Sequence, residues 1–152
     1  VTSGLNAMAH AAEGLYASDR NPITTLMAGE GLRALHEALP RIVDNPADID
    51  ARTEALYGAW LCGTVLNSVA MALHHKLCHV LGGSFDLPHA EVHTVILPHA
   101  TAYNAAGAPE APGCLARRGP EPISRGRRAT AYWSSTNAVS SCSAGGPIAA
   151  SR

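Results

Sequence analysis

Residues 74–104, HHKLCHVLGGSFDLPHAEVHTVILPHATAYN, decide the fold. Apolar residues recur here at helical intervals, and no run alternates as a half-buried strand would. Gly82 and Gly83 predict a helix stop, and Pro88 predicts the opening of a further helix to about Asn104, kinked at Pro98. Working back from Gly82, a long helix is expected from about Asp50 to Val80, after the turn-forming stretch DNPADID. Earlier still, Asn21 is placed to cap a helix with Pro22 in its first turn. Ile23, Leu26, Met27, Leu32, Leu35 and Leu39 follow as an apolar stripe that Pro40 is expected to end. SGLNAMAHAAEGLY, with Ser3 available as a cap, predicts the first helix. The fold class is all-α, a helical bundle over residues 1–108 with an irregular tail over 109–152.

Composition narrows the function classes. At 152 residues and a formal net charge of −1, the chain fits one domain, and nothing in the totals points to nucleic acid or to an acidic partner. Cys62, Cys78, Cys114 and Cys142 form no C-x-x-C pair and read as reduced thiols of a cytoplasmic protein. The start has no signal-peptide pattern and no initiator Met, as expected of a fragment. No charge falls between Glu54 and Lys76, a span long enough for a bilayer. Gly58, Gly63, Thr64, Asn67, Ser68, His74 and His75 interrupt it, so it reads as a buried central helix and not as a membrane segment.

The tail has another character. From about Pro109 the apolar period disappears, and the basic residues are all arginine: Arg117, Arg118, Arg125, Arg127, Arg128 and Arg152. These arginines share no helix face, and the only aromatics nearby are Tyr132 and Trp133, which argues against a nucleic-acid arm. The composition fits a disordered segment, or GC-rich DNA read out of frame.

The chemistry-bearing residues are histidines of the helical part. His75 and His79 stand four apart in HKLCH and project from one helix face. The turn GGSFDLP folds His89 back toward them, and on the first helix Asn6 and His10 form a second i, i+4 pair. On helices that pack together, these groups converge as ligands do in a bundle core, or each serves packing or surface separately. The zinc-protease pattern H-E-x-x-H is absent, because Lys76 follows His75. His93 and His99 lie beyond the H-x-x-x-H pair and are expected to matter less than His79.

GLNAMAHAAEGLYA, ALYGAWLCGTVL and the stretch from His74 to Asn104 together resemble the maleylacetate reductase family, within the iron-containing alcohol dehydrogenase superfamily. The resemblance runs from Val1 to about Ala111 and rests on G-x-[DN]-A-x-x-H, then H-x-x-x-H-x-L-G followed by P-H. It implies the helical C-terminal domain of such an enzyme. In the metal-dependent members an Asp and three His bind one divalent ion, iron or zinc, and those positions fall on Asn6, His10, His75 and His89. An amide is a poorer ligand than a carboxylate for such a cation. The reductases carry Asn at this position and are thought to work without metal.

The resemblance further implies reduction of the C=C bond of maleylacetate to 3-oxoadipate with NADH or NADPH, in bacterial breakdown of aromatic compounds. His75, His79 and His89 are then the catalytic candidates, with Asn6, His10 and His79 against a small dicarboxylate substrate as polar and cationic groups. The cofactor domain of the family precedes the helical one, and no strand followed by a Gly-rich turn is found here. The full-length enzyme is expected to be a homodimer, and this chain is expected to be inactive alone. A metal-dependent alcohol dehydrogenase and a stand-alone His-rich binding module are the alternatives.

Overall fold

The computed structural model describes residues 1–104, so the expectations for the tail, including Cys114 and Cys142, lie outside the described residues. Five helices follow one another with no strand among the described residues: α1 (Thr2–Gly14), α2 (Pro22–Asp44), α3 (Ile49–Ser68), α4 (Leu73–Phe85) and α5 (His89–Asn104). The all-α expectation holds, with one more helix than the sequence pattern predicts.

Local chemistry explains the boundaries. The Asn21 side chain accepts from Ile23 N at 2.9 Å and Thr24 N at 3.0 Å, and Thr24 Oγ1 accepts from Asn21 N at 2.9 Å. This reciprocal cap satisfies donors that the first turn leaves orphaned, and Pro22 has none to lose. Ser3 is not a cap, because α1 already begins at Thr2 and Val1 makes no side-chain cap. Pro40 does not end α2, which runs through it to Asp44. The following turn is tied down by Asn45 N to Arg41 O at 2.8 Å and by the Arg41–Asp48 ion pair at 3.0 Å. Ile23 and Leu26 are exposed. At 100° per residue they lie opposite the face that Ala28, Leu32, Leu35 and Leu39 bury.

The expected helix from Asp50 to Val80 is two helices. Asp48 caps the first through Ala51 N at 2.9 Å, and the chain breaks after Ser68 and turns by 95°. Valine and alanine at the break are no helix breakers, so the cause lies elsewhere in the molecule. Asp19 accepts from Ala70 N at 3.0 Å, and Glu13 accepts from Ala72 N at 3.0 Å and His74 N at 2.8 Å. Carboxylates of other segments thus take backbone donors that a continuous helix would have used itself. Gly82 and Gly83 do not stop α4; it continues to Phe85 and ends at Asp86, which takes the left-handed conformation at φ 50°. Pro88 precedes α5, whose residues run through Pro98 as one helix.

The core sits among α1, α2 and α3, where Met8, Leu15, Leu32, Leu35, Cys62 and Val65 meet. A smaller apolar contact, Ala9 and Ala12 with Leu97, docks α5 on α1. The small alanines let α5 approach closely, and this brings its histidines to the same face. No single helix among the described residues is long and apolar enough to cross a membrane; the α3–α4 pair meets the length and composition test only as a bent pair.

Candidate active site

Three helices build the site. α1 presents Asn6, His10 and Glu13 on one face, α4 contributes His74, His75 and His79 near its start, and α5 contributes His89 and His93. His75 lies at the centre: its ring centroid is 5.0 Å from that of His10, 5.1 Å from His74, 4.8 Å from His93 and 6.2 Å from His79. His89 lies 4.3 Å from His93 and stacks at 6.0 Å on His79. The cluster is graded, with His74, His75 and His93 buried, His10 half-buried, and His79 and His89 exposed at its open end.

His10, His75, His79 and His89 therefore converge. Asn6 stands one turn before His10, its Oδ1 buried without a hydrogen-bond partner. Within the cluster three ring nitrogens share that condition: His10 Nδ1, His75 Nε2 and His93 Nε2. Buried polar atoms are rarely left unpaired, so this concentration makes the cluster the candidate site.

Sequence reasoning missed three members. His93, expected to lie beyond the site, has no solvent exposure and contacts four other histidine rings of the cluster at 6.3 Å or less. Its i, i+4 relation to His89 was the available signal. His74 bonds through Nε2 to His93 Nδ1 at 3.0 Å. Glu13, fully buried, holds His75 Nδ1 at 2.6 Å from its Oε2. Nothing local distinguishes Glu13, whose partners come from a helix about sixty positions later in the chain.

Burial and mutual repulsion keep several rings neutral. Burial first, then His75, His74 and His89, pushes His10 down to about 4. Burial and His75 take His74 to about 4, and burial followed by the neighbouring histidines takes His93 to about 3. His10 is thus a neutral polar wall at physiological pH and not the cation expected. Burial alone would raise Glu13, but hydrogen bonds from His75 and from the Ala72 and His74 backbone outweigh it and hold the carboxyl below its usual range.

His74, Cys78 and His93 form the one group among the described residues whose metal-ligating atoms all lie within 4.8 Å of one another. None of His10, His75 and His89 belongs to it. Burial pushes the Cys78 thiol up to about 11, and within the trio His74 Nε2 and His93 Nδ1 are already bonded to each other.

Comparison with known proteins bears on this geometry. Residues 1–119 match the family described as Fe-containing alcohol dehydrogenase family, C-terminal. Maleylacetate reductase of Burkholderia cepacia is 66% identical over 117 residues, covering 77% of this chain and 33% of the relative. Two solved maleylacetate reductases superpose with TM-scores of 0.77: that of Agrobacterium tumefaciens at 57% identity and that of Rhizobium sp. strain MTP-10005 at 56%. Each comparison covers 91% of this chain and 38% of the other. The chain spans about a third of the length of the curated relatives it matches.

Proposed function

The chain belongs to the Fe-containing alcohol dehydrogenase family, and from that premise we propose that it forms the substrate-side helical part of a maleylacetate reductase. The observation that carries this reading is the histidine cluster with its buried, unpartnered nitrogens, in a chain 66% identical to such an enzyme.

The reaction requires hydride from the reduced nicotinamide to add to the alkene carbon β to the ketone. The alkene pair moves toward the carbonyl and forms an enolate, and a proton at the α carbon then gives 3-oxoadipate. Hydrogen-bond donors placed at the developing oxyanion lower that barrier. His75 is the candidate proton carrier: as the imidazolium it keeps its Nδ1–H on Glu13 and gives its Nε2 proton to the α carbon, which leaves the neutral ring. His79 and His89, at the exposed end, meet a carboxylate of the substrate, and Asn6 and His10 complete the polar wall. The cofactor, NADH or NADPH, is held by a portion of the enzyme outside the described residues.

Iron or zinc does not fit the donor set. Asn6 supplies a neutral amide where the metal-dependent pattern needs a carboxylate, so three neutral imidazoles would face the cation without charge compensation. To test the function, residues 1–119 replace the matching segment of the Burkholderia cepacia enzyme, and oxidation of NADH and NADPH is followed with maleylacetate. Maleylacetate-dependent oxidation is expected. A folded chimera that binds cofactor and leaves maleylacetate untouched would refute the reading.

A further inference from the structure

Glu13 is surrounded entirely by donors. Its Oε1 accepts from His74 N at 2.8 Å and lies 3.3 Å from the Tyr16 hydroxyl, while its Oε2 accepts from Ala72 N at 3.0 Å and lies 2.6 Å from His75 Nδ1. The two backbone groups can only donate, and the carboxylate has no exposure to water. A buried carboxylate that accepts on both oxygens leaves His75 Nδ1 one compatible state, the N–H. The other ring nitrogen, Nε2, is buried and unpartnered, and its ring packs against those of His10, His74 and His93.

We propose that Glu13 is the positioning residue of His75: it fixes the ring with Nδ1 as the N–H and turns Nε2 into the histidine cluster as the atom that meets substrate. The same carboxylate caps α4, so one side chain sets both where the helix begins and which face its histidine presents. A negative group at that helix start is also favoured by the helix dipole. Carboxylate partners that orient a histidine are worth about 10–100-fold in activity at metal sites, and the same order is expected here. The inference rests on the reductase reading for its kinetic arm, though not for its spectroscopic one.

The test uses the full-length enzyme carrying this segment. Glu13→Gln keeps the size but removes the charge and one acceptor, so its single oxygen serves either His74 N or the Ala72 N and His75 Nδ1 pair, and the charged hold on the ring is lost. The expected result is a fall in kcat of about 10–100-fold with KM for the cofactor unchanged. In Glu13→Gln/His75→Asn the loss in kcat should equal that of His75→Asn alone, because the effect of Glu13 on kcat passes through that ring, while its bonds to the α4 start bear on stability. Losses that multiply, or native kcat in Glu13→Gln, overturn the proposal. If Glu13→Gln does not fold, ring ¹⁵N shifts of His75 in the native enzyme decide. With the ring neutral, a protonated Nδ1 supports the assignment and a protonated Nε2 overturns it. A native chimera inert toward maleylacetate would sink the reductase reading, while the ring tautomer still judges Glu13.

Discussion

His74 and His93 share a hydrogen bond of 3.0 Å and neither touches solvent, which makes the site sensitive to acid. Their folded values, about 4 and about 3, lie below the 6.5 of a free histidine. The unfolded chain therefore binds more protons than the folded one between roughly pH 6.5 and 4. Stability is fully present above that window and falls as pH falls through it. The free energy of unfolding should fall by about 1.4 kcal/mol per pH unit for each such proton as pH falls, read from thermal or urea unfolding at a series of pH values. His93→Gln should flatten the slope, and an unchanged slope would show that these rings are not the groups responsible. At this scale the site was half legible. His10, His75, His79 and His89 stand at motif spacing, but Glu13 and His74 acquire meaning only from partners brought in by folding. His93 was in view as the i+4 neighbour of His89 and was passed over because the motif ended before it.

Between α2 and α3 the contact is made by glycines. A methyl group at Gly58 would sit 2.9 Å from Leu35 Cγ and 3.1 Å from Gly31 O, and one at Gly31 would sit 2.8 Å from Cys62 Sγ. Neither backbone nor buried Leu35 can yield, so Gly58→Ala should destabilise by about 1–3 kcal/mol through overpacking. Gly63, on the same helix, meets nothing within 4 Å, and Gly63→Ala should stabilise by about 0.5–1 kcal/mol. Urea unfolding of the two variants checks the contrast, and equal effects would mean that the helices are not in this close register. Local signals served well where the cause was local, as at Asn21 and Asp48. The break after Ser68 was invisible for the opposite reason, since Asp19 and Glu13 reach it from about fifty to sixty residues away. Residues 69–72, VAMA, are apolar and contain neither Gly nor Pro, so local propensity argued for continuity that the remote carboxylates deny.

Among the described residues, several large apolar side chains stand in water close to one another. Leu56, Tyr57 and Trp60 stand exposed on adjacent turns of α3, with the last two rings 6.5 Å apart and stacked. Val80 and Phe85 on α4 and Val95 on α5 are more than half exposed as well. Single exposed apolar side chains are ordinary, but neighbours on one helix face form a patch that proteins normally cover. The matching part of this chain covers only about a third of each curated relative, and the relatives' remaining portions are the natural cover for such faces. The 152-residue chain by itself should therefore self-associate and bind a hydrophobic dye, and the chimera built on the longer relative should do neither. Trp60→Glu should shift the isolated chain toward monomer without reaching the histidine cluster, because Trp60 faces water on α3, a helix that supplies none of the site residues. Light scattering over a range of concentrations reads the result. A native chain that stays monomeric at every concentration would mean that the α3 face is not a surface built for burial, and that this segment is stable as a module of its own.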